Sequence, residues 1–133
     1  MSFKLSIVTP KGLYEEVFVD SLNIKMTSGY RTFLSGHAPL VGSLDIGIMH
    51  ILKDGKMIYY AIHKGAINVK KDEIVIITSA IEKSNEIDIE RAQKSLTRAN
   101  ERLNNNKDIN IDVKRAKLAL QRALTRIEVS KLN

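Results

Sequence analysis

With 133 residues, 44% hydrophobic and 27% charged, the chain is long enough for one ordinary domain, or for a small domain with an appendage, and apolar enough to bury a core. Seven aromatic residues leave that core to Ile, Val, Leu and Ala, and the absence of Cys removes disulfides, thiol catalysis and Cys-based zinc sites. The net charge of +6 raises the question of an anionic partner, and where that charge sits matters more than its size. The opening MSFKLSIVTPKG has no uninterrupted apolar run, and no later stretch approaches the roughly 20 apolar residues of a spanning helix. A soluble protein, or one held at a membrane only through partners, is expected.

From Phe3 to about Glu82 the chain reads with period two in short runs bounded by turn residues, as strands do. FKLSIV alternates until Pro10-Lys11-Gly12 interrupts it; LYEEVFV and LNIKMT follow, and Ser28 to Tyr30 break the chain again. In IMHILKDGKMIYYAI, Asp54-Gly55 stands between two alternating runs and predicts a tight hairpin turn, because Gly tolerates positive φ. GAINVKKDEIVIIT repeats the arrangement around Lys70 to Glu73, and its apolar run Ile74 to Ile77 reads as a strand covered on both faces. Many short strands at close spacing argue for a sandwich or a barrel.

After Ser84 the period changes. Ile89, Ala92, Leu96, Ala99 and Leu103 form one helical seam, and Ala116, Leu120, Ala123 and Ile127 form another. The polar breaker NNNKDIN between them predicts an antiparallel hairpin of two helices of about 16 to 20 residues. Asp88 and Asp112 each open a helix, where a carboxylate caps free backbone N–H groups and meets the positive end of the dipole.

The two helices are also a repeat. IDIERA and IDVKRA lie 24 positions apart, and the same shift carries Arg91, Arg98 and Arg102 to Arg115, Arg122 and Arg126. At about 100° per residue each trio forms a stripe beside its seam, and reversing one helix brings both stripes to the same side of one groove. Like charges on one face repel, so an anion is expected there. Solvated arginines with local partners such as Glu101 are the plainer explanation. Two anions would defeat it: a nucleoside triphosphate, with Asp88 and Glu82 free for base, ribose or metal, or an acidic partner surface. No Gly-rich phosphate loop is present, so side chains would have to hold a nucleotide.

Other classes fare worse. A nucleic-acid module would use the same basic groove, but the hairpin from Ser84 carries eleven basic residues against seven acidic ones and has no aromatic residue for stacking. Enzyme chemistry has only His37, His50 and His63 to work with, and no nucleophile motif such as G-x-S-x-G.

At this point the residues resemble a known family, the epsilon subunit of bacterial F-type ATP synthase. The resemblance runs through LSIVTPKGLYEEVFVDSLNIKMTSG, FLSGHAPLVGSLDIGIMHI and GAINVKKDEIVIITSAIE to the hairpin, and its most specific part is GHAPL followed by Leu44 and Gly47. It implies an all-β sandwich of about ten strands over 1–84, docking on the gamma subunit and the c-subunit ring, and a C-terminal antiparallel α-helical hairpin over 85–133. It implies no catalytic residues, no redox cofactor, and a peripheral place on the cytoplasmic side of the bacterial cell membrane. IDIERA resembles the family's I/L-D-x-x-R-A nucleotide signature, which carries over Ile87, Asp88, Arg91 and Ala92, with Glu82, Arg98, Arg122 and Arg126 at matching positions. Arg102 and Arg115 are further groove candidates from the stripes. ATP, with or without magnesium, is the implied regulatory ligand of the folded hairpin; the released hairpin would extend along gamma to the catalytic alpha/beta head. Tyr30, Arg31, His37 and Pro39 are the implied docking residues. The chain departs from the family in GYRTFL, where GELGIL is usual in a loop near the c ring, and in HKGAINV, where SGGFVEV is usual.

Overall fold

The structure, a computed structural model, describes residues 1–104 and 113–132. The breaker beyond Asn104 and the expected cap at Asp112 lie outside the described residues. Strands β1 (Phe3–Thr9) and β2 (Gly12–Val19) form a hairpin, as do β3 (Ser21–Met26) and β4 (Gly29–Leu34). After β5 (Leu40–Leu44), strands β6 (Gly47–Lys53) and β7 (Lys56–Ile62) make a third hairpin. β8 (Gly65–Val69) pairs with β9 (Glu73–Thr78), and the short β10 (Ile81–Lys83) returns to β7. The spatial order is β10-β7-β6-β3-β5-β8-β9-β1-β2, with β4 on β3, and β1 runs parallel to β9. This network folds over one core as a β-sandwich.

Alternation sets the core. Leu5 and Ile7 on β1, Leu22 and Ile24 on β3, Met49 and Ile51 on β6, and Ile74 and Ile76 on β9 all point inward and are almost completely buried. The turn between β6 and β7 has two residues, with Lys53 opposite Lys56, and both Asp54 (φ 51°) and Gly55 (φ 77°) are left-handed, as a primed hairpin turn requires. Gly65 is needed for space instead: a Cβ there would lie 2.0 Å from the Ile77 carbonyl oxygen.

Three expectations are corrected. Strand β9 is not covered on both faces: Ile77 is 57% exposed, and although its neighbours β1 and β8 satisfy its backbone, no described residue closes off its outer side there. GYRTFL, expected as a loop, is strand β4, because Tyr30 and Arg31 pair with Lys25 and Ile24 while Phe33 turns into the core. Ile89 leaves the helical seam half exposed, and Ile87 is the buried residue at that end.

A single 3₁₀ turn, Ser84–Glu86, leads into α1 (Ile89–Asn104) and then α2 (Val113–Ser130). Ala92 and Ala99 of α1 and Ala116 and Ala123 of α2 are buried, and such small side chains let two helix backbones approach closely. The hairpin sits against the sandwich through α2 and the 3₁₀ turn. Val129, Ile87 and Ala61 form a small separate apolar cluster there, with Ile48 and Tyr59 packed on it.

Candidate functional site

The sandwich supplies one wall of a pocket. In the β1–β2 turn, Thr9 Oγ1 donates to the Gly12 carbonyl and accepts from the Lys11 N–H, both at 3.3 Å, and this places Thr9, Pro10 and Lys11 on the pocket's rim. The floor is tied by Thr78, whose buried hydroxyl lies 3.1 to 3.2 Å from the carbonyl oxygens of His63, Lys64 and Ala80. The His63 N–H donates to the Ala80 carbonyl at 3.1 Å, so the β7–β8 linker and the β9–β10 turn are locked together with His63 facing the pocket.

The hairpin supplies the other wall. Asp88 stands just before α1, where its Oδ1 accepts the Arg91 N–H at 3.0 Å while its carbonyl accepts the Ala92 N–H at 3.0 Å. This N-cap fixes the first turn and with it the Arg91 side chain on the pocket. From α2, Arg122 and Arg126 reach the same space, separated by the buried Ala123. Arg126 spans to β10, its Nε donating to Glu82 Oε1 at 2.7 Å and its Nη2 to Oε2 at 3.4 Å.

The pocket is an open cleft of about 710 Å³, within the range of small-molecule sites. Among the described residues, four formal cations, Lys11, Arg91, Arg122 and Arg126, line it against the single carboxylate of Glu82. Burial pushes the His63 imidazole below its ordinary value, Arg122 and Arg126 add to that, and Glu82 opposes it. Tyr14, also on the wall, is driven upward by burial and by its hydrogen bond to Glu86 Oε1 at 2.5 Å, so its phenol stays protonated.

The sequence candidates therefore divide. Glu82, Arg91, Arg122 and Arg126 are brought together around the pocket, with Asp88 capping the helix beside it. Ile87 packs against the sandwich and Ala92 is fully buried, so both shape the site from behind. Arg98 lines a shallower depression on the outside of α1 with Glu90 and Glu101. Arg102 and Arg115 are exposed. Tyr30, Arg31, His37 and Pro39 lie elsewhere, on β4 and the loop after it: Arg31 lies over the Phe33 ring at 5.6 Å and His37 meets the same ring edge-on at 4.7 Å, whereas Tyr30 sits beside Lys25. His37 Nδ1 is 2.8 Å from the Ala38 carbonyl, a structural hydrogen bond. Sequence reasoning missed Lys11 and His63 as pocket residues, since no local pattern links them to arginines 28 or more positions away.

Residues 2–84 match the family described as ATP synthase, Delta/Epsilon chain, beta-sandwich domain, and residues 85–131 match its long alpha-helix domain. The ATP synthase epsilon chain of Bacillus mycoides is 38% identical over 131 residues, covering 98% of each chain. That of Staphylococcus saprophyticus is 41% identical over 132 residues, again covering 98% of each. The chain belongs to the epsilon subunits of bacterial F-type ATP synthase. Among solved structures, a chain of the Euglena gracilis mitochondrial ATP synthase, determined with its c-ring, superposes with a TM-score of 0.83 at 22% identity, covering 98% of this chain and 81% of that one. A chain of the Tetrahymena thermophila central stalk and c-ring gives 0.57 at 12% identity, and both likenesses concern the fold. As an epsilon subunit, the protein is a non-catalytic accessory of the central stalk. Among the described residues no helix is long and apolar enough to cross a membrane.

Proposed function

We propose that this epsilon subunit works as an ATP-sensitive brake on its motor. The sandwich docks on the gamma subunit and the c-subunit ring, at the cytoplasmic side of the bacterial cell membrane, using the surface around Tyr30, Arg31, His37 and Pro39. The hairpin, when compact, encloses ATP, with or without magnesium. When released it extends along gamma to the acidic surfaces of the catalytic alpha/beta head and hinders hydrolysis. One set of arginines thus serves two alternative anions, and ATP favours the compact state by binding it selectively. At a hundredfold excess over its dissociation constant, such a ligand adds about 2.7 kcal/mol to that state.

The observation that carries this reading is the charge of the pocket: Arg91, Arg122 and Arg126 converge from two helices beside a single carboxylate. Planar guanidiniums suit phosphate oxygens, and a triphosphate brings the missing negative charge. Asp88, at the first turn, is placed to fix the register of Arg91.

Calorimetric titration of the whole chain with ATP, with and without magnesium, alongside its hydrodynamic radius, tests the reading. Saturable binding with compaction is expected, and Arg91→Ala should weaken it while the sandwich stays folded. Absence of binding up to millimolar ATP would overturn it.

A further inference from the structure

The pocket's two walls belong to different halves of the chain, and both carry unneutralised positive charge. Of its four cations, only Arg126 has a carboxylate within ion-pair distance among the described residues; Lys11, Arg91 and Arg122 have none. Lys11 stands on a turn pinned by Thr9, and His63 on a linker pinned by Thr78 and Ala80, so neither needs to be ordered by a ligand. The walls face each other across a space of about 710 Å³, large enough to admit a polyphosphate.

We propose that the sandwich contributes half of the anion site: Lys11 and His63 bind the phosphate chain from one side while Arg91 and Arg122 bind it from the other. The ligand then bridges the two domains, and its affinity measures directly how firmly the hairpin is held down. The identity of the ligand as a nucleotide rests on the function proposed above; the two-walled anion site does not.

His63 gives the bridge a proton. Burial first and Arg122 next push its imidazole below the ordinary value, Glu82 opposes them, and Arg126 adds to the lowering. The remaining charged or titratable groups around it are Lys64 beside it, Lys11 and Tyr14 from the β1–β2 side, and Arg91 from α1. A bound polyphosphate neutralises the arginines and favours the imidazolium, so binding takes up a proton at His63 and tightens as pH falls from about 8 to about 6.

The test is calorimetric titration of the full chain with ATP and, separately, inorganic tripolyphosphate, across that pH range and in buffers of different ionisation enthalpy. Lys11→Ala and His63→Gln are each expected to weaken both ligands about five- to tenfold. The ligands' own protonation is common to all variants, so proton uptake seen in the wild type beyond that in His63→Gln belongs to His63. Lys11→Ala sits on an exposed turn and leaves the fold intact, so a loss there is not a folding defect. If both variants bind ATP as the wild type does, the sandwich wall is overturned while the nucleotide reading stands. If tripolyphosphate binds with the expected dependence on Lys11 and His63 but ATP does not bind, the bridge stands and the nucleotide reading falls. Binding of neither probe overturns both.

Discussion

The sandwich and the hairpin are built from the same aliphatic alphabet but use it differently. The sandwich interior is continuous, made of large side chains such as Leu5, Ile24, Met49 and Ile76 that are closed off from water. Among the described residues the hairpin buries mainly alanines between its helices and meets the sandwich through the small cluster of Ile87, Val129 and Ala61 and the Arg126–Glu82 ion pair. Burial stabilises roughly in proportion to apolar area, so the attachment of the hairpin is weak beside the cohesion of the sandwich. The release of the hairpin proposed above is consistent with that difference in side-chain size.

Four measurements bear on this contrast, from the largest expected effect to the smallest. Leu5→Ala opens a cavity in the closed core and should lower denaturant stability by about 2 to 5 kcal/mol; a loss below 1 kcal/mol would mean the sandwich is no tighter than the hairpin. Thr78→Val removes the hydroxyl near the carbonyls of His63, Lys64 and Ala80 and should cost about 1 to 3 kcal/mol, seen as a lower unfolding midpoint and faster amide exchange at His63 and Ser79, whose N–H groups donate to Ala80 and Lys64. A double-mutant cycle on Glu82→Ala and Arg126→Ala should give a coupling of about 1 kcal/mol, since both groups are only partly shielded. The signature of detachment in that cycle is an increased radius by small-angle scattering with an unchanged sandwich.

The smallest effect concerns His50, whose Nδ1 is buried without a partner among the described residues and whose ring lies 5.6 Å from that of Tyr59. Burial lowers its pKa from 6.5, so the folded state disfavours its charged form. Stability from this group is complete above the unfolded value and is lost as pH falls below it. His50→Phe should therefore change stability by no more than about 1 kcal/mol at neutral pH and should flatten the decline on acidification below 6.5 in thermal melts; an unchanged slope would assign that decline to other groups.

Much of this architecture was legible in the sequence because its signals are local. Period two marked the strands, Asp54-Gly55 marked the tight turn, and the three-and-four spacing of alanines marked the helices. Failures came where distant chain decides. Ile77 reads as interior because it belongs to an apolar run, yet only the placement of β9 between β1 and β8 shows which face is open. Tyr30 ends the apparent break at Ser28 to Tyr30, and the family resemblance implies a loop through Arg31, whereas pairing with β3 makes both residues strand. Arg98 follows Arg91 by two turns and shares its stripe, but it lines a depression beside Glu90 and Glu101 rather than the pocket. Lys11 and His63 carry no motif at all, and only the fold brings them to Arg122.

On the proposed release of the hairpin, the contacts beside the pocket set where movement would start. Tyr14 holds Glu86, and Glu15 takes both the Tyr60 hydroxyl at 2.6 Å and Lys83 at 3.0 Å, so the chain is riveted to the sandwich through the end of the 3₁₀ turn. The fulcrum of a departing hairpin is then the next pair of residues, Ile87 and Asp88. Beyond it α1 is a rigid arm of 16 residues, about 24 Å long at 1.5 Å per residue. A swing of about 60° at that fulcrum would carry the arm's far end through a distance comparable to its own length, so breaking contacts a few ångströms long would be geared into a displacement several times larger.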